Sequence, residues 1–298
     1  MGFTAQPNLW QCGPFALKHA LMMLGVFVGE AEIARRAGTS RSSGTDEDQL
    51  RRVARRYDCD MPVVRHRDAE EARRSLAANL DRGFPVLLCV NGWGHWITAV
   101  KRESGQFIVL DSQDHAVLSI LTWGQLRHRW AYREMEGGRV EVLYDLHPVI
   151  PRFRVATRTH ISLARARHLR RAENRDLARL WDEYVRDLVA ICRSRTPLSE
   201  NVISMGTFLR RHEKAILYHV DYWHGQMDRR RARRILKHMH FVADTLGMVV
   251  HEQDETSAIA AVTAILTLWA AAKYGTAPVY DPPPPPRRRK ARRGKRRG

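Results

Sequence analysis

The chain has 298 residues, of which 44% are hydrophobic and 28% charged; that is enough apolar material for a sizeable core and excludes a globally disordered chain. Its 50 Lys+Arg against 32 Asp+Glu give a net charge of +18, and the excess is lopsided. Residues 1–150 hold 19 basic and 18 acidic side chains, a net of +1, which leaves 31 against 14, a net of +17, for residues 151–298. A neutral half joined to a strongly basic half predicts two domains with different tasks. The first residues carry no basic and then apolar stretch, which predicts no signal peptide. A 17-residue uncharged run rich in Ala and Thr, 256–272, sits at the lower edge of spanning length and predicts a buried helix rather than a transmembrane segment. Four separated cysteines without a CxxC pair predict reduced thiols in a cytoplasmic protein.

In chain order, helices come first. Cys12-Gly13-Pro14 opens an apolar run through Leu17, Leu21 and Leu24, with Gly25 as a stop. A short helix follows over residues 29–37, ended by Gly38. Thr45 is the expected N-cap of a third, carrying Leu50, Val53 and Tyr57. Asp68, with Glu71 three residues on, predicts a capped fourth ending at Gly83. The period then changes. Residues 85–90 form an apolar run of buried-strand type. A turn at Asn91-Gly92-Trp93-Gly94 leads to a strand over 95–100, and Ser104-Gly105 predicts a hairpin to a return strand over 107–110. Further strands are expected at 116–121 and 139–146. Helices followed by an antiparallel meander define an α+β domain over residues 1–150.

After Pro148 and Pro151 the strand signals stop, and four amphipathic segments predict a helical bundle over 151–280. The first carries Leu177, Leu180, Tyr184, Leu188 and Ile191. The second, capped by Thr196-Pro197, carries Phe208, Ile216, Val220 and Trp223 and breaks at Gly225. The third carries Ile235, Met239, Val242 and Leu246 and stops at Gly247. The fourth covers 256–274. Residues 281–298 hold five consecutive prolines and then nine basic residues with no apolar partner, the composition of a disordered tail.

A thiol is a nucleophile as thiolate, favoured at helix N-termini and near imidazolium, and opposed by acids and apolar burial. Cys59 lies between Asp58 and Asp60, Cys89 lies inside an apolar strand, and Cys192 lies at a helix C-terminus. Only Cys12 combines a helix N-terminus with a following glycine, Gly13, that lets a substrate approach. His95 opens a strand after a Gly-rich turn, between Trp93 and Trp96; with Gly94, these tryptophans are the expected walls of a dry cleft. Asp111 ends the next strand of the hairpin, where it can orient an imidazole and hold its tautomer. Gln6 precedes the helix, where its amide can meet a developing oxyanion. His19, two turns beyond Cys12, is too distant to be the base; His66 and His115 remain open.

Gln6, Cys12-Gly13-Pro14 and Ala16 together resemble the Q-x5-C-G-P-x-A start of the papain-like cysteine peptidases that process bacteriocin leaders after a double glycine. Residues 83–86 with Gly94-His95-Trp96 resemble that family's G-x-P-V…G-H-W segment, and Val109-Leu110-Asp111 its triad-acid strand. The resemblance covers residues 1–145. It implies a papain-like fold with Cys12 as nucleophile, His95 as general base, Asp111 as orienting acid and Gln6 as oxyanion donor. It further implies a peptide or isopeptide bond as target and no cofactor. Gln11 stands where members often carry Asp. With no GxxxxGK[ST] stretch in the chain, the expectation is a stand-alone member rather than one fused to an exporter.

For the basic half, two features invite other chemistry. Arg229, Arg230, Arg231, Arg233 and Arg234 are either a phosphate-contacting helix face or a solvated helix start. Arg287, Arg288, Arg289, Lys290, Arg292, Arg293, Lys295, Arg296 and Arg297 create an attractive field for polyanions, nucleic acid first and an anionic membrane surface second. His212, His219, His224, His238 and His240 match no common metal spacing, so no metal site is expected. The alternative to an enzyme is a non-catalytic polyanion-binding protein on a peptidase-like scaffold.

Overall fold

The computed structural model describes residues 3, 5–114, 117–155, 159–193, 201–224 and 227–274. A single 3-10 turn, Leu9–Gln11, feeds directly into helix α1 (Cys12–Met23), all twelve residues of which are buried. Pro14 costs nothing in the first helical turn, where no amide is needed. Helix α2 (Glu30–Ala37) ends on left-handed Gly38. Helix α3 (Glu47–Arg55) is capped by Asp46 rather than Thr45: Asp46 accepts from the Gln49 amide and the Gln49 side chain accepts from the Asp46 amide. Thr45 is instead buried, bonded to Thr39 through its hydroxyl. Strands β1 (Cys59–Asp60) and β2 (Val64–His66) precede α4 (Ala69–Asp81), whose Asp68 cap accepts from the Glu70 and Glu71 amides.

The sheet is built from β3 (Val86–Val90), β4 (His95–Glu103), β5 (Gln106–Leu110) and β6 (Leu118–Thr122). Helix α5 (Trp123–Trp130) follows, then β7 (Tyr132–Glu136) and β8 (Arg139–Pro148). The order is β2-β8-β3-β4-β5-β6, antiparallel throughout, with β7 hung on β8. Ser104-Gly105 and Gly137-Gly138 both take positive φ, as two-residue hairpins of right-twisting strands require. Both faces of the sheet are covered. Trp96, Leu87 and Cys89 pack toward α1; Ile97, Ala99, Phe107 and Val109 pack toward α4 and α5. Double coverage explains why β3 and β5 read as unbroken apolar runs rather than alternating ones. Strand β9 (Ile150–Pro151) returns to pair with β1.

Beyond β9 come α6 (Leu163–Arg170), α7 (Arg175–Arg179), α8 (Trp181–Cys192), α9 (Met205–His224), α10 (Arg229–Leu246) and α11 (Glu255–Tyr274). The expected first helix of the bundle is thus two, α7 and α8, with α6 before them. Strand signals do not stop after Pro151: β10 (Val202–Ser204) pairs with β11 (Val249–His251), three residues each and too short for periodicity to reveal. Thr196-Pro197, Gly225, Ala116 and the tail beyond residue 274 lie outside the described residues. One apolar cluster joins the halves: Met22, Met23, Ile108, Leu110 and Leu118 pack with Trp181, Leu188, Phe208, Val242 and Leu266. Buried Lys18 of α1 ties Glu30 (2.9 Å) to Asp182 of α8 (3.3 Å).

Helix α11 departs from expectation. By length and composition, Glu252–Ala272 is apolar enough to cross a membrane, with a mean hydropathy of 1.5, yet only 28% of it is buried. It is a surface helix buried along one stripe only, with no charged residue in 256–272.

Candidate active site

Cys12 is the first residue of α1, and only 6% of it is exposed. Its sulfur lies within electrostatic reach of the His95 ring and of the backbone amides of Trp96 and Gly13. Burial works against the thiolate; the His95 contact, the two amides and the imidazolium charge outweigh it and hold the thiol below its ordinary value of 9.0.

His95 begins β4 directly after a tightly wound turn. Asn91, Gly92 and Trp93 all have positive φ (55°, 69° and 60°). Two non-glycine residues in this region cost on the order of 1 kcal/mol each, so the surroundings must hold them. They do so from three elements. The Asn91 amide donates to the Arg129 carbonyl at the end of α5 (2.7 Å). The Trp93 ring stacks on Tyr132 of β7 at 3.8 Å. Arg65 of β2, itself bonded to both carboxylate oxygens of Asp145 (2.6 Å each), lies 5.2 Å from the Trp93 ring centre.

Asp111 follows the last residue of β5. Its Oδ1 is 2.7 Å from His95 Nε2 and also accepts the Gln113 amide (3.0 Å); its Oδ2 accepts from Arg129 Nη2 (2.7 Å). With Nε2 committed to Asp111, Nδ1 is the ring nitrogen left for the Cys12 sulfur. Burial opposes charge on both groups, but the bonds to Asp111 and Cys12 push His95 up to about 9, and His95 and Arg129 hold Asp111 well below the usual carboxylate range. The His95–Asp111 pair thus draws the proton toward the imidazole and away from the Cys12 thiol.

Gln6 joins this group from the chain entering α1. Its backbone N–H donates to the Ser112 carbonyl (2.8 Å), which anchors it next to Asp111. The Ser112 hydroxyl donates to Gln6 Oε1 (2.6 Å), while Gln6 Nε2 donates to the Asn8 carbonyl (2.8 Å). Those two bonds fix which end of the side chain carries its N–H groups, one of which is already occupied by Asn8.

The expected cleft residues separate. Trp93 is half-buried and Gly94 exposed. Trp96 is buried, its indole N–H donating to the Thr45 carbonyl (3.0 Å) and its ring meeting His147 at 5.0 Å. Gly13 has a packing reason of its own: a Cβ there would meet Thr45 Cβ at 2.9 Å. Arg129 and Ser112 escaped sequence reasoning. Helix α5 itself was not expected, although Thr122 with Gln125 is a capping-box signal for it, and nothing local said that its last turn reaches Asp111.

The other thiols are raised to about 12: Cys59 by burial and then its flanking aspartates, Cys89 by burial and then the Cys12 charge, Cys192 by burial. His66 faces Glu71 (3.8 Å), His19 is buried among Phe3 and Phe15, and His115 lies outside the described residues. Burial lowers His147 to about 4.

In α10 the arginine run is divided. Arg229 bonds Asp221 (2.6 Å) and Arg233 bonds Glu213 (3.1 Å). Arg231 and Arg234 line a cavity of about 500 Å³ together with Asp176 and Glu183. Local acids thus pair with two of the five arginines. Of the bundle histidines, His238 contacts Tyr184 (3.0 Å), His212 faces Glu255 (3.6 Å) and His240 faces Asp244 (3.3 Å).

No family model and no curated protein matches the chain. Among solved structures it is similar to double-glycine leader peptidase domains over about half its length. A double-glycine-motif protease from an AMS/PCAT transporter, in complex with its leader peptide, has 16% identity and a TM-score of 0.36, covering 48% of this chain and 89% of that one. The peptidase domain of Streptococcus ComA, a bifunctional ABC transporter of quorum sensing, has 13% identity and a TM-score of 0.37, covering 50% and 97%. A C39-like peptidase from Bacillus anthracis has 12% identity and a TM-score of 0.35, covering 48% and 92%. The roles proposed below rest on contacts of this chain's own residues.

Proposed function

We propose that the protein is a cysteine peptidase that hydrolyses a peptide or isopeptide bond, with Cys12 as nucleophile, His95 as acid and base, Asp111 as orienting acid and Gln6 as oxyanion donor. The observation that carries this reading is the buried chain from Cys12 through His95 to Asp111, with His95 Nε2 2.7 Å from the carboxylate. A structural cysteine has no need of an imidazolium, two backbone amides and a helix N-terminus directed at its sulfur.

The chemistry follows from the protonation states. The Cys12 thiolate attacks the carbonyl carbon, and the negative charge moves to the carbonyl oxygen. Gln6 Nε2–H and backbone N–H groups at the start of α1 are the donors for that oxyanion. His95 Nδ1–H gives its proton to the departing amine as the C–N bond breaks, leaving a thioester on Cys12. Neutral His95 then takes a proton from water, whose oxygen attacks the thioester; Cys12 leaves as thiolate and the acid product departs. Arg129 acts through Asp111 and is a positioning residue. The reaction needs Cys12 reduced, which fits the expected cytoplasmic location.

The test is labelling with an electrophilic thiol probe near neutral pH, in parallel with turnover of a peptide library. Cys12 should react faster than a free thiol, Cys12→Ala should abolish both signals, and His95→Ala should slow labelling. A Cys12 that reacts like a free thiol, indifferent to His95→Ala, would overturn the assignment.

A further inference from the structure

Among the described residues, α9 and α11 leave an apolar surface exposed. Helix α11 buries a stripe of Ala258, Val262, Leu266 and Ala270. Its other side presents Ala260, Ala264, Leu268 and Ala272 to solvent, and no charged residue interrupts 256–272. Beside it, α9 exposes Tyr218, Tyr222 and Trp223, which with Leu268 are each 64–73% accessible. The Tyr222 and Trp223 rings adjoin (5.6 Å). Between the helices lies an open groove of about 740 Å³ lined by Trp223, Ile259, Ala260, Thr263, Ala264 and Leu268. Large aromatic and aliphatic side chains gathered on one exposed face mark a docking surface.

The direction of the helices identifies the partner. Arg211 and His212, in the first half of α9, meet Glu255 at the first residue of α11 (3.3 and 3.6 Å). The two helices therefore run parallel, and the aromatic end of α9 lies at the same end as the C-terminus of α11. From that end the chain continues past Tyr274 for 24 residues, with nine Lys+Arg and no acid between 287 and 297. An apolar, Tyr/Trp-edged face on a chain that continues into a cationic sequence complements an anionic lipid bilayer: apolar side chains enter the acyl boundary, the aromatic rings suit the interface, and the basic residues meet lipid phosphates.

We propose that the α9–α11 face docks the protein on an anionic bilayer, with residues 287–297 as a second anchor. Stable surface anchoring takes two signals, and the chain offers two, an apolar face and a basic sequence. A second copy of the chain would cover the apolar face but leave the cationic run without a counter-charge. Nucleic acid answers the charge but leaves Tyr222, Trp223 and Leu268 in water.

The experiment is co-sedimentation of the full chain with phosphatidylcholine vesicles, with and without phosphatidylglycerol, at low and high salt. The chain should sediment only with the anionic vesicles. Leu268→Asp should lower partitioning about tenfold with the tail intact, from the lost burial of one large apolar side chain. Replacing the basic residues of 287–297 by Gln should weaken binding and remove its salt dependence. Unchanged partitioning of Leu268→Asp overturns the proposal, as does failure to bind anionic vesicles. A dimer that Leu268→Asp dissolves assigns the face to a second copy instead, and preferential binding of duplex DNA, indifferent to Leu268→Asp, assigns the charge to nucleic acid. Thermal melting checks that the variant folds; Trp223→Ala, at another exposed position, repeats the test if it does not.

Discussion

The two ends of the molecule break the ordinary rule of burial in opposite directions. Around Cys12, ionisable groups sit inside: Cys12, His95 and Asp111 are each at most 6% exposed. On the α9–α11 face, large apolar side chains sit outside, Tyr222 at 73%. Both arrangements cost free energy that a merely stable fold would avoid, and both therefore point to function. The difference lies in what completes each one. The buried polar chain is closed by its own neighbours, down to Arg129 on Asp111 Oδ2. The exposed apolar face is closed by nothing in the described chain and so calls for something outside it.

The first way to break this contrast is to remove the interior chain at its start. Cys12→Ala should lower peptide turnover by at least about 10⁴-fold, and His95→Ala by a similar factor, measured against residual hydrolysis. A variant that retains turnover would make the buried cluster structural. Gln6→Ala comes next, with kcat falling about 10²-fold and probe labelling of Cys12 little changed, since alkylation forms no oxyanion. Equal losses in both assays would place Gln6 in the thiol's environment rather than at the oxyanion.

The pH profile sharpens the interior further. His95 titrates near 9, above its ordinary 6.5, and Cys12 titrates below its ordinary 9.0. As pH rises through about 9, His95 loses the proton owed to the leaving amine, so hydrolysis should decline. Thiol alkylation, which needs only the thiolate, should not decline there. Arg129→Gln removes one hydrogen bond from Asp111, weakens the hold of Asp111 on imidazolium, and should move that alkaline limb to lower pH with about a tenfold loss of kcat/KM. An unmoved limb would make Arg129 an incidental neighbour.

Smaller effects test how the two ends are joined. Lys18→Met takes away the cation shared by Glu30 and Asp182; both partners are partly solvated, so a loss of about 2 kcal/mol is expected in chemical denaturation. Leu268→Asp, on the outer face, should leave Cys12 labelling unchanged. If it alters labelling, the two surfaces are coupled and the contrast between them collapses.

Much of the interior site was legible in the chain itself, because its signals are local. Helix α1 starts at Cys12 through Pro14, a Gly-rich turn delivers His95 to a strand, and a Ser-Gly hairpin returns the chain to Asp111. Turn chemistry and hydrophobic period operate within a few residues, so they can be read along the chain. Where two caps competed, as at Thr45 and Asp46, the reading slipped by one residue, because only Asp46 has Gln49 at the reciprocating distance. Strand β7 was invisible because its exposed edge sequence, with Met135 at 70% exposure, has no apolar alternation to detect.

The remainder depends on contacts between distant segments, which composition and period do not encode. Arg129 on Asp111, Ser112 on Gln6 and the Trp96 amide on the Cys12 sulfur each join groups from separate elements. The same holds for α11. Its residues establish that it is apolar all round, as a buried helix would be; how much is covered depends on how many neighbours reach it, and α8 and α9 reach one side. Local pattern thus set the elements and the order of the candidate triad, while long-range packing set the protonation states inside and the face left open outside.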